Sequence, residues 1–282
     1  MAGILIFGLG YMASRLAERL CRGGWAVLGT RRTASAGAIA FEDEEAVRVA
    51  LAGATHVLSS VPPGERDPVL DRYGSLLTDK HWLGYLSSTG VYGDTGGAWV
   101  DESAPIGTGR RSARTEADAA WLARGARVFR LPGIYGPGRS ALERVAEGRA
   151  HRIDLPGQVF SRIHVDDIVT AAMAGFDAPP GAYNIADDAP CSQNRIIEEA
   201  CRLLGLPPPP IQSLDEAGLS PAARAFYAEN RRVANGKARR VLGWRPAYPD
   251  YRAGLAACLA CNATISPAMA SRQPTPASAD QR

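Results

Sequence analysis

Short apolar runs and helix-spaced stretches alternate along most of the chain. Residues 4–7 (Ile-Leu-Ile-Phe) form an unbroken apolar run, the pattern of a strand buried on both faces. The run breaks at Gly8-Leu9-Gly10, and residues 13–20 resume with apolar positions at helical spacing. Further strands are predicted over 25–29, 38–42, 55–61, 82–88, 127–131 and 182–186. Helices are predicted between them, one with an acidic start at 42–45 and others over 69–77, 112–124 and 168–176. Ser140-Ala141-Leu142-Glu143 reads as a capping box for a helix that stops near Gly148. Asp166 or Asp167 reads as the N-cap of 168–176. An amphipathic helix over 192–204 puts Ile196, Ile197, Ala200, Cys201 and Leu204 on one side and ends at Gly205. Prolines 207–210 form an extended linker, a last helix covers 251–261, and residues 263–282 read as a disordered tail poor in large apolar groups. The strand–helix alternation predicts an α/β fold, a doubly wound parallel sheet with ligands at the C-terminal strand ends.

Chemistry enters at the first turn. Gly8, Gly10 and Ala13 make the pattern G-x-G-x-x-A between a buried strand and a helix. Gly8 permits the tight turn, Gly10 lets the backbone approach a pyrophosphate, and the small Ala13 keeps helix and strand close. The N–H groups of the opening residues Tyr11, Met12 and Ala13, with the positive end of the helix dipole, are placed to hold phosphate. The bland alternative is a glycine turn with no ligand. The second strand ends at Thr30-Arg31-Arg32, where the NAD-specific form of this fold has an acidic residue about 20 positions past the glycines. Arginines there suit a 2′-phosphate, so NADP is expected before NAD; two solvated surface arginines are the alternative. Ser60, Val61 and Pro62, Ser87, and Pro132 close other strand ends and complete the expected cofactor cleft.

Composition narrows the setting. A 282-residue chain with 46% apolar and 22% charged residues can bury a sizeable core. A net charge of +3 argues for neither nucleic acid nor a membrane surface as partner. The five cysteines are scattered and without a metal-ligand pattern, which fits free thiols in a reducing compartment; no metal is expected. The opening apolar run is too short for a signal peptide, and no stretch has the length of a membrane span, so the cytoplasm is expected.

Four ordered stretches resemble the extended short-chain dehydrogenase/reductase superfamily, in its NAD-dependent epimerase/dehydratase group. They are the opening glycine motif, Ser87-Ser88-Thr89-Gly90-Val91-Tyr92-Gly93, residues 130–138 (Arg-Leu-Pro-Gly-Ile-Tyr-Gly-Pro-Gly) and Ile163-His164-Val165-Asp166-Asp167. The likeness implies a single unit over 1–262: a Rossmann lobe (about 1–136 plus 162–187) and a small substrate lobe (about 137–161 plus 188–262). It also implies that Ser88 hydrogen-bonds the substrate oxygen and that relatives often dimerise, so a homodimer is expected.

The family's Tyr-x-x-x-Lys pair has no match. Between Tyr92 and Tyr135 the chain has no tyrosine and no lysine, and the corresponding helix offers Arg110 and Arg114 instead. Arginine stays protonated in proteins and cannot serve as an ordinary acid/base. The resemblance is therefore to an atypical subgroup. Tyr92 and Tyr135 are the candidate replacement proton donors, with a packing role as the alternative for each. Thr89, Arg110, Arg139 and Arg162 are candidate contacts to a small polar substrate carrying phosphate or carboxylate, a sugar- or nucleotide-linked compound being one candidate. His56 and His164 read as structural histidines, and Asp101 and Glu102 as loop acids. Two functions remain open: an NADP-dependent oxidoreductase or epimerase, and a non-catalytic NADP(H)-binding sensor or partner-binding module.

Overall fold

A computed structural model describes residues 2–77, 82–109 and 112–261. In chain order the first half contains β1 (Gly3–Phe7), α1 (Tyr11–Arg22), β2 (Ala26–Arg31), β3 (Ala38–Ala40), α2 (Glu44–Gly53), β4 (His56–Ser59), α3 (Pro68–Tyr73), β5 (Trp82–Ser88), β6 (Trp99–Val100) and α4 (Ser112–Ala123). There follow β7 (Arg127–Leu131), β8 (Gly133–Tyr135), α5 (Ala141–Ala146), β9 (Arg152–Ile153), β10 (Arg162–His164), α6 (Val165–Ala174) and β11 (Gly181–Asn184). The rest is α7 (Gln193–Leu204), β12 (Ile211–Gln212), α8 (Pro221–Phe226), β13 (Arg232–Val233), α9 (Gly236–Val241) and α10 (Tyr251–Cys261).

Seven strands form one parallel sheet in the order β11-β7-β5-β4-β1-β2-β3. Side chains alternate across a strand, so β1 feeds two cores. Ile4 and Ile6 join Leu16, Leu20 and Ile168 on the α1/α6 side. Leu5 and Phe7 join Val47, Val69 and Trp121 on the α2/α3/α4 side. The order reverses between β1 and β4, and the cleft at their C-terminal ends is where such sheets take ligands. A third core joins α5, α7 and α10 through Leu142, Ile197 and Leu255, and includes the predicted face of α7.

Local chemistry explains the boundaries. The capping box is present: Ser140 Oγ accepts from Leu142 N–H at 3.1 Å, and Glu143 Oε2 accepts from Ser140 N–H at 2.8 Å. The N-cap expected of Asp166 or Asp167 belongs to His164, which starts α6 earlier, at Val165. His164 Nδ1 accepts from Asp166 N–H at 3.3 Å, and burial pushes the imidazole down to about 4, so it is the neutral acceptor a cap requires. Asp167 faces away and accepts from the N–H groups of Ala247 and Tyr248 at 2.7 and 3.1 Å. His56 is structural, bonded to Thr55 Oγ1 at 2.8 Å and enclosed by Trp25, Trp82 and Phe176. Cys191, Cys201 and Cys258 are buried free thiols, and Cys21 and Cys261 are exposed. Among the described residues no helix is long and apolar enough to cross a membrane. The tail from 262 lies outside the described residues.

Candidate functional site: a dinucleotide cradle and a two-chambered cleft

The glycine turn is held from both sides. Gly8 takes φ +84°, the left-handed region that favours glycine. Its N–H donates to Thr30 Oγ1 at 3.0 Å, and Ser60 Oγ donates to its carbonyl. A Cβ at Gly8 would lie 3.0 Å from Val61 Cγ2. Thr30, Ser60 and Val61 thus shape the turn from neighbouring strands. Gly10 is different, because a Cβ there meets no protein atom within 4 Å. Gly10 is the N-cap of α1 with no side-chain cap bond and no acid in the first turn. The N–H groups opening α1 thus lack a side-chain cap, with space beside Gly10 and the helix dipole behind them, which suits a pyrophosphate. The side chains of Met12 and Ala13 are core, so only their backbone faces that space. Arg31 and Arg32 are exposed at the end of β2, with Arg31 Nη2 3.5 Å from Ser14 Oγ on α1. Pro62, past the end of β4, is exposed.

Beyond β5 lies a chamber of about 220 Å³ lined by Ser88, Thr89, Arg114, Pro132, Ser161 and Phe160, among others. Ser88 Oγ accepts from Gly90 N–H at 3.1 Å, which leaves its own O–H free to donate. Arg114 stands where the resemblance puts lysine. Its Nη1 donates to Tyr85 Oη at 2.9 Å, and Tyr85 is itself stacked on Trp121 in the core. The guanidinium is fixed at the chamber wall.

Several expected site residues turn away from this chamber. Ser87 is buried and its hydroxyl donates to Asp118 Oδ2 at 2.6 Å, so it offers the cofactor no side chain. Tyr92, expected to face the cleft, is 2% exposed. The 3₁₀ turn over Thr89–Tyr92 rotates it inward, where its hydroxyl donates to Asn184 Oδ1 at 2.8 Å and accepts from Arg130 Nη1 at 2.9 Å. Burial raises its pKa. Tyr135 lines a second chamber of about 240 Å³, with Arg139, Arg144 and Arg162, and does not line the Ser88 chamber. Burial first, then nearby Asp187, pushes its phenol far above its ordinary value of 10.0. Arg162 is a clamp rather than an open anion site. Its Nη1 donates to the carbonyls of Phe160 and Cys191, and its Nη2 to Gln193 Oε1 at 2.9 Å. Arg110 lies outside the described residues.

The C-terminal segment supplies wall residues that the sequence did not flag. Phe226, Glu229, Arg231 and Val233 all line the Ser88 chamber. Arg231 Nη1 donates to Glu229 Oε2 at 2.8 Å and to the Gly93 carbonyl. Parallel pairing of β13 with β6 brings them there. The segment 221–233 is short-ranged and aperiodic, and only Arg114 had a signal, its place in the expected pair.

The turn, the sheet and the strand order define a Rossmann-type α/β fold. No family model matches the chain. A solved structure of a functionally unknown conserved protein from Silicibacter pomeroyi DSS is 41% identical, covering 93% of this chain and 99% of that one, with a TM-score of 0.82. The chain belongs to the family of that conserved protein. The human epimerase family protein SDR39U1, solved with NADPH, shares the fold at 17% identity over 90% of this chain and 97% of that one (TM-score 0.73). A 3-diazoavenalumate denitrifying reductase from a Streptomyces species is 33% identical over 140 residues, and the match covers 45% of each chain.

Proposed function

We propose that the chain is an NADP-dependent oxidoreductase of the epimerase/dehydratase-like group, acting on a small polar substrate in the Ser88 chamber. The observation that carries the reading is an open glycine turn after β1 together with Ser88 at the end of β5 in the same parallel sheet, a serine whose O–H is free to donate. Tyr11, Met12 and Ala13 N–H groups would hold the pyrophosphate, and Arg31 with Arg32 the 2′-phosphate. When bound, the nicotinamide supplies the hydride chemistry. Ser88 orients a substrate carbonyl or hydroxyl by donating to its oxygen. Arg114, held by Tyr85, contributes fixed positive charge beside that oxygen but no proton. With Tyr92 engaged elsewhere, Tyr135 outside the chamber and Glu229 ion-paired with Arg231, water is the proton route of this reading. NADPH bound to SDR39U1 and the reductase among the relatives support the reading.

The withdrawn tyrosines also favour a second reading, a non-catalytic NADP(H)-binding module. Mass spectrometry of small molecules released by denaturing freshly purified protein tests the first point. Near-stoichiometric NADP(H) is expected. No nucleotide, together with no shift of melting temperature by NADPH or NADH, overturns both readings. NAD(H) alone would discard the role of Arg31 and Arg32. Turnover that survives Ser88→Ala would overturn the catalytic reading, whereas an NADPH-driven change in partner binding without oxidation would establish the second.

A further inference from the structure

The two chambers share a wall. Gly133, Phe160, Ser161 and Phe226 line both, so the two chambers adjoin at these residues, with Arg139 and Arg144 lining the far one. Phe226 is 45% exposed, among the few large apolar side chains that face solvent. It lies flat on Phe160, with ring centroids 4.6 Å apart and planes 14° apart. An aromatic face held rigidly at a cleft mouth is a stacking surface for another flat group.

Arginines line the far chamber, with no carboxylate among its lining residues. Arg162 is committed to carbonyl and amide oxygens. Arg139 lies over the Tyr11 ring. Arg144 lines the chamber, and its neighbour Glu143 is held by the N–H groups of Gly138 and Ser140.

We infer that the two chambers form one elongated cleft for a flat, unsaturated carboxylic acid. Its ring or double bonds lie on Phe226, its carboxylate meets Arg144, and its reducible end points to Ser88. The inference rests on the proposed oxidoreductase reading and gives its substrate a class.

The test is calorimetric titration of full-length protein, with and without NADP⁺, using trans-cinnamate, its uncharged amide cinnamamide, and UDP-glucose as probes. Cinnamate is expected to bind about tenfold or more tighter than cinnamamide, a charge-assisted contact's worth of discrimination. Arg144→Gln should collapse that ratio to about twofold or less by removing the charge. Phe226→Ala should weaken acid and amide alike, and Phe226→Tyr should restore both; each side chain is exposed enough for the fold to be checked by its melting curve. An acid-to-amide ratio near one, a ratio that survives Arg144→Gln, or tighter binding of UDP-glucose overturns the inference. If NADP⁺ binds and cinnamate does not, this inference alone fails. If neither NADP⁺ nor NADPH binds, the function proposed above fails, and the cofactor-free titration still decides the acid class.

Discussion

Arg130 on β7 and Asp118 on α4 form a two-point ion pair with side chains 3% and 0% exposed. Nη2 meets Oδ1 at 2.8 Å and Nε meets Oδ2 at 3.1 Å. Ser87 donates to the same carboxylate, and the remaining Arg130 nitrogen reaches Tyr92. The chain Ser87–Asp118–Arg130–Tyr92–Asn184 is a polar strut through the core beneath Ser88. Asp118→Asn should cost roughly 3–5 kcal/mol, because it leaves a buried guanidinium without its counter-charge. Tyr92→Phe should cost about 1–3 kcal/mol by leaving Asn184 and Arg130 short of a partner. Urea unfolding measures both. A Tyr92→Phe protein that is fully stable yet unable to turn over substrate would return the phenol to the chemistry.

The two turn glycines separate folding from binding. Gly8→Ala forces a left-handed φ on alanine and presses its methyl on Val61, so melting temperature and cofactor binding should fall together. Gly10→Ala meets no protein atom, so the variant should melt like the parent. Its methyl occupies the phosphate space, and NADPH affinity should drop about tenfold or more. Undiminished NADPH binding by Gly10→Ala would place the phosphates elsewhere.

The proposed preference for NADP rests on exposed Arg31 and Arg32, so it can be tested without touching the core. Arg31→Ala combined with Arg32→Ala should lower NADPH affinity about tenfold, near 1.4 kcal/mol. NADH affinity should change much less. Equal losses for both nucleotides would show that the arginines do not read the 2′-phosphate.

Asp187 gives a pH signature. It is buried, its Oδ2 lacks a hydrogen-bond partner, and burial raises its pKa from 3.8 to about 7. The folded chain thus keeps a proton that the unfolded chain loses above 3.8, and stability falls as pH rises from about 4 to about 7. Asp187→Asn removes this dependence. The stability gained by the variant should open between pH 4 and 7 and stay constant above. His164 titrates in the opposite sense over about 4 to 6.5, but equally in both proteins, so it cancels from the difference. Unfolding midpoints at pH 5 and 8 measure it, and a pH-independent gap would contradict the assignment.

Much of the fold was legible because burial imposes periods on the sequence. β1 is apolar throughout since both its faces are covered, and α7 shows its inner face in the residues that pack on α5 and α10. The capping box at Ser140 and the turn at Gly8 are local chemistry, readable over a few positions. Orientation was harder. Tyr92 follows a strand end of the kind that lines a cleft, and Arg162 flanks the expected substrate lobe, but a 3₁₀ turn directs one inward and three oxygens capture the other. The cap of α6 passed from aspartate to His164, because Asp167 is drawn to backbone about eighty residues away, a contact with no local trace. The same holds for Phe226 and Arg231, which reach Ser88 only through tertiary folding.

The pairing of Trp99 with Arg232 and Val100 with Val233 sets an order for biosynthesis. The phosphate turn is encoded at the start of the chain, whereas the wall facing Ser88 waits for the segment that ends in β13. A nascent chain emerging from the ribosome therefore has its glycine turn long before it has an enclosed chamber at Ser88. Premature termination upstream of Phe226 leaves a polypeptide with that turn and an open trough in place of the chamber.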